Sequence, residues 1–133
     1  GKEVNFIKTN EIANIIKAKV NDAINDGYNT IAIISKTEEM SRIINKELKK
    51  IGLDIPNVEE TDDLTDEKFK ICTISNYLSK GLEFDAVIIN DASEEIYSSN
   101  NDLDMKLLYV AITRALHELT IIYNKDLTKP LLK

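Results

Sequence analysis

Cysteine is nearly absent from this chain: Cys72 stands alone, so no disulfide can form within it. A protein that folds without such staples is expected in a reducing compartment, here the cytoplasm. Histidine is equally scarce. His117 has no cysteine or second histidine near it in sequence, too few ligands for a zinc site. No apolar run approaches the ~20 residues that a bilayer requires. The opening Gly1-Lys2-Glu3-Val4-Asn5 also lacks the basic-then-apolar order of a secretory leader, so no membrane partner is expected. A first residue that is Gly rather than Met suggests an excised fragment or a trimmed tag. Excess positive charge is missing too. Lys and Arg number 17 against 23 Asp and Glu, a formal charge of −6, whereas domains that grip nucleic acid through their own field are usually basic. Any nucleic-acid contact must then be a small local surface, or must rely on another part of the parent protein. Finally, Gly-x-x-x-x-Gly-Lys-Ser/Thr occurs nowhere, so there is no P-loop to cradle a triphosphate.

What is present is an alternation of strand-like and helix-like segments over 133 residues, the size of one domain. Val4 to Ile7 reads as a weak first strand. From Thr9 to Asp26, Ile12, Ile15, Ile16, Val20, Ala23 and Ile24 recur at helical spacing, with Thr9 or Asn10 as cap and Gly27 as terminator. Thr30 to Ile34 is nearly all apolar, as expected of a strand covered on both faces. Thr37 caps a second helix whose stripe is Met40, Ile43, Ile44, Leu48 and Ile51, ended by Gly52. Residues 54–67 carry seven acids and no base, and read as a solvated acidic loop with at most a short strand at Val58. Lys70 to Ile74 and Asp85 to Asn90 read as strands, Asp104 to Ala115 as a helix burying Met105, Leu108, Ile112 and Ala115, Leu119 to Tyr123 as a last strand, and 126–133 as a tail. The alternation predicts a single α/β domain, an open, mostly parallel sheet with helices on both faces. Ligands of such sheets sit outside the carboxyl ends of the strands, so the segments after Ile34, Ile74 and Ile89 are the places expected to carry chemistry.

Two segments stand out. In Ser79-Lys80-Gly81-Leu82-Glu83-Phe84-Asp85, Gly81 permits a tight turn and close approach of a ligand, and Glu83 offers a carboxylate to a ribose hydroxyl. By itself the segment also reads as a plain glycine turn. In Leu107-Leu108-Tyr109-Val110-Ala111-Ile112-Thr113-Arg114-Ala115, Arg114 falls late in a helix, where the dipole favours a cation. The same position suits a fixed cation that stabilises charge on a transferring phosphoryl group.

In this order and spacing, the two segments resemble motifs V and VI of the UvrD/Rep/PcrA-type superfamily 1 helicases. The likeness extends more loosely over residues 30 to 123. It implies a RecA-like fold and the C-terminal of two RecA-like domains, with ATP between them. Arg114 would then be the catalytic arginine finger on the γ-phosphate. Glu83 would hold the ribose, and Gly81 would shape the loop. The N-terminal RecA-like domain of the same polypeptide would supply the P-loop and most of the Mg2+ coordination, leaving this domain inactive by itself. Ile33-Ile34-Ser35-Lys36-Thr37 resembles motif IV, with Lys36 where the family usually has arginine. Lysine keeps the charge and loses the bidentate fork, so Lys36 is either an ATP ligand or a solvated residue before a cap. Ser75-Asn76-Tyr77 replaces the family's Thr-x-His, which touches single-stranded DNA. Ser75 can donate to a phosphate, and Tyr77 either stacks on a base or packs at the edge of the core. Lys80 approaches nucleic acid or nucleotide.

The activity implied is that of an ATP-dependent DNA helicase or translocase. Rep-like members insert a large domain ahead of motif V, but here only the acidic stretch separates Ile51 from Lys70. Ser75 to Asp85 and Thr113 to Leu119 are similar to the HelD branch, which implies RNA polymerase as an alternative partner and remodelling as an alternative function. A RecA-like fold serving only as a binding module is a third reading. The intact spacing of Gly81, Glu83 and Arg114 speaks against it.

Overall fold

The structure is a computed structural model that describes residues 2–132. Five strands, β1 (Glu3–Lys8), β2 (Ile31–Ser35), β3 (Ile71–Ser75), β4 (Phe84–Ile89) and β5 (Ala115–Tyr123), form one sheet in the order β1-β5-β4-β2-β3. Every pairing is parallel. Helices α1 (Ile12–Asn25) and α2 (Glu38–Lys50) pack on one face and α3 (Asp102–Thr113) on the other.

The two faces follow from strand alternation. Ile31, Ile33, Ala86, Ile88 and Ile122 meet Ile16, Val20 and Ala23 of α1 and Ile44 and Leu48 of α2. Ala32, Ile34, Val87, Ile89, Leu119 and Ile121 meet Leu108 and Ala111 of α3. All five residues of β2 are buried. Each fully buried isoleucine contributes on the order of 1.5–3 kcal/mol, so the central strands dominate the hydrophobic stabilisation.

Several boundaries differ from those expected. Helix α1 starts at Ile12 without a side-chain cap, because the Thr9 hydroxyl accepts from the Glu11 N–H and shapes the preceding turn instead. The helical stripes are narrower than the apolar pattern, with Ile24 at 45% and Ile43 at 52% exposure. Thr37 does cap α2, its hydroxyl accepting from Met40 N, and Gly27 and Gly52 follow α1 and α2 with positive φ. Helix α3 begins two residues early, capped by Asn101. It stops at Thr113, and β5 starts at Ala115 rather than Leu119.

The acidic segment is not merely solvated. Val58 N donates to Thr73 O and Thr73 N to Pro56 O, at 2.9 and 3.0 Å, so residues 56–58 cover part of the outer edge of β3. Ser41 and Thr73 both donate their hydroxyls to Asn57 Oδ1, and Val58 is buried. Covering that edge removes a template for unwanted strand pairing. The supposed tail is also fastened. Leu127 and Thr128 are buried, and the Thr128 hydroxyl donates to Tyr97 O at 2.7 Å.

Candidate functional site

Helix α3 leaves the loop beyond the carboxyl end of β4 and runs back against the strand direction. It delivers Arg114 to the amino end of β5. Arg114 is the C-cap of α3, where the helix dipole favours its charge. Its Nη1 donates to Leu82 O at 3.2 Å, its Nε to Val110 O at 3.2 Å and its Nη2 to Thr113 Oγ1 at 3.3 Å. Its own carbonyl accepts from Phe84 N at 2.9 Å. The residues on either side of Glu83 are therefore both tied to Arg114. Among the described residues, the partners of the guanidinium are neutral oxygens, and no carboxylate pairs with it. A guanidinium held in place with its charge uncompensated is suited to an anionic ligand.

Glu83 is exposed and lines a cavity of about 320 Å³ with Thr30, Leu64, Asp66, Lys70 and Phe84. The turn before it closes with Leu82 N donating to Ser79 O at 3.1 Å. Gly81 occupies the third position of that turn with φ +79°, a value that favours glycine. Leu82 packs on the core and Phe84 is buried, which anchors the loop on both sides of the exposed carboxylate.

Asp85 was not singled out by sequence, yet it fixes this edge. Its Oδ2 accepts from Asn29 N and Thr30 N at 2.9 and 3.2 Å, and its own N–H donates to Thr30 Oγ1 at 2.8 Å. Those N–H groups, Asn29 first, hold its carboxyl below the usual range. His117 Nε2 lies 3.8 Å from Asp85 Oδ1, and its ring stacks on Tyr28. His117 thus belongs to this edge and to no metal cluster among the described residues.

The segment between β3 and β4 crosses from one end of the sheet to the other. Ser75 is buried at the carboxyl end of β3, where its hydroxyl accepts from Leu78 N at 3.3 Å. Asn76 is wholly buried and donates its amide to Tyr97 Oη at 2.6 Å. Tyr77 points outward at 63% exposure, so the packed alternative does not apply, and Lys80 Nζ stands 5.2 Å over its ring. Lys80 also borders a groove of about 650 Å³ along α3, with Leu103, Met105, Leu107, Tyr109 and Val110.

The structure thus brings Gly81, Glu83 and Arg114 together and leaves Lys36 apart. Lys36 follows the carboxyl end of β2, whereas Glu83 and Arg114 precede the amino ends of β4 and β5. From the register this is about 20 Å of strand. The pair therefore lies at the amino ends of the strands, opposite to the carboxyl ends where ligands of such sheets are expected. The crossing segment and the returning helix carry both groups to the opposite edge. Asp104, Asn76 and Tyr97 were also missed. Only the acid in the first turn of α3 had a sequence signal.

The chain has counterparts among known families and solved structures. The family model for the UvrD-like helicase C-terminal domain matches residues 55–126. The crystal structure of the C-terminal domain of a possible DNA helicase from Lactobacillus plantarum WCFS1 is similar, with a TM-score of 0.79 and 26% sequence identity. That likeness covers 96% of this chain and 76% of the other. No curated protein sequence matches the chain.

Proposed function

The chain belongs to the UvrD-like helicase C-terminal domain family, and on that premise we propose that it is the C-terminal RecA-like half of an ATP-dependent DNA helicase motor. The observation that carries this reading is the mutual hold of Arg114 and the loop around Glu83. A guanidinium and a carboxylate at one end of the sheet, both free of ionic partners among the described residues, suit the two ends of a nucleoside triphosphate.

In this reading ATP is the substrate, and the N-terminal RecA-like domain of the same polypeptide brings its phosphates. Glu83 accepts a hydrogen bond from the ribose, and Gly81 keeps the turn close to the sugar. Arg114 offers its remaining N–H donors to the γ-phosphate as negative charge spreads over the equatorial oxygens. Its bonds to Leu82, Val110 and Thr113 hold the cation in place beforehand, which reduces reorganisation during transfer. The residues described here offer no cluster fit to hold magnesium. That ion is assigned to the N-terminal domain, and no step is routed through it. The apolar groove along α3, continuous with the helix that ends in Arg114, is the surface which that domain would cover.

Single-stranded DNA falls to Tyr77 and Lys80; Ser75 is buried, its hydroxyl accepting from Leu78 N, so the phosphate donor expected there is not presented. An exposed tyrosine beside a lysine forms a small stacking surface on a chain of net charge −6. No observation favours RNA polymerase as the partner.

ATP turnover by the chain alone, beside that of the helicase with both RecA-like domains, tests the division of labour. No measurable hydrolysis by the chain alone is expected, with turnover stimulated by oligothymidylate in the two-domain protein. Comparable rates from both would overturn it.

A further inference from the structure

The partners of Lys36 give it a role away from the nucleotide. Its ammonium lies 2.8 Å from Asp104 Oδ1 and donates to Ile96 O at 2.8 Å. It also stands 5.9 Å from the centre of the Tyr97 ring. Asp104 is 7% exposed, and its second oxygen accepts from Ser98 N at 3.0 Å. An ammonium engaged in this way cannot also serve a phosphate about 20 Å away.

Asp104 lies in the first turn of α3, and Arg114 caps its other end. Ten residues of helix separate them, about 15 Å. Among the described residues, α3 is the one α-helix on its face of the sheet, and of its apolar residues Leu108 and Ala111 are buried. Met105, Leu107 and Ile112 pack against the same core while staying partly exposed, so apolar contacts seat the helix along its length and polar contacts hold its two ends. At one end stands the Lys36–Asp104 pair; at the other, the bonds between Arg114 and residues 82–84.

We propose that Lys36 and Asp104 are positioning residues for Arg114: their ion pair anchors the start of α3 and so sets the direction in which the guanidinium is presented. This rests on the functional reading above. Neither residue touches the nucleotide, so the pair acts on turnover rather than on ATP binding. Small misplacements of a catalytic group cost up to about a hundredfold in rate, whereas ground-state contacts made by other residues are untouched.

The test uses steady-state ATP hydrolysis by the full helicase carrying Lys36→Met or Asp104→Asn, with Lys36→Arg and Arg114→Ala in parallel. Thermal unfolding identifies the variants that remain folded, and the near-isosteric Asp104→Asn keeps the test decisive should Lys36→Met unfold. The expected result is a kcat lowered about tenfold or more, a KM for ATP within about twofold of the parent, and a largely restored kcat in Lys36→Arg. An unchanged kcat in a folded Asp104→Asn, beside a crippled Arg114→Ala, overturns the positioning role and leaves the functional reading standing. A raised KM with kcat intact also overturns it, returning Lys36 to direct contact with nucleotide. An unimpaired Arg114→Ala overturns the functional reading and this inference together.

Discussion

Arg114 and Leu82 are joined through the guanidinium Nη1 and the Leu82 carbonyl at 3.2 Å, across 32 positions of sequence. With the Phe84 N–H bonded to the Arg114 carbonyl, the cation at the end of α3 and the loop that presents Glu83 move as one body. A ligand that engages one group therefore finds the other already placed.

Gly81 should resist substitution for conformational reasons. Nothing lies within 4 Å of a Cβ built there, so the cost is its φ of +79° alone. Gly81→Ala is expected to lose about 1–2 kcal/mol, read as a lower urea midpoint. An unchanged midpoint would show that the turn relaxes freely.

Tyr77→Ala should weaken DNA binding without harming the fold, since the ring is 63% exposed. Stacking on one base contributes roughly 1–3 kcal/mol, so the two-domain helicase is expected to bind oligothymidylate at least several-fold more weakly. Equal affinity would remove Tyr77 from the track.

Glu94 clamps the end of the chain. It accepts from Ser99 N and Lys129 N. These N–H groups, Ser99 first, lower its carboxyl to about 2 from the usual 4.5. A pKa depressed by folding stabilises the folded state above the usual value, and that stabilisation is lost as pH falls through the folded value. The difference in melting temperature between the parent and Glu94→Gln is therefore expected at pH 7 and should shrink as pH falls from 4.5 toward 2. A pH-independent difference would contradict the clamp.

Cys72 should be inert in the folded protein. Burial raises its thiol to about 12 and leaves little thiolate at neutral pH. Iodoacetamide is expected to label it only after denaturant is added. Rapid labelling of the native chain would mean that β3 opens readily.

How much of this was legible in sequence depended on the range of the interaction. The apolar run of β2 and the helical stripes of α1 and α2 announce themselves locally, through period and capping. Gly81, Glu83 and Arg114 stand out in sequence because residue type and spacing coincide with a known pattern, and the fold brings them together. The end of the sheet at which they meet was not, since it depends on α3 running back against the strands. Nor was the Lys36–Asp104 pair, whose members lie 68 positions apart with nothing local to link them. In the acidic segment the largely exposed run 59–67 and a short strand near Val58 follow from charge and apolar character, whereas the hold of Asn57 on Ser41 and Thr73 has no local signal.

The most direct test is the turnover of the full helicase carrying Arg114→Ala, at saturating ATP and oligothymidylate. A fixed cation on the γ-phosphate contributes at least ~10³-fold to the rate, so a loss of that size is expected in a protein that still folds and binds DNA. A rate within a few-fold of the parent would leave Arg114 a helix-end cation and contradict the half-site described here.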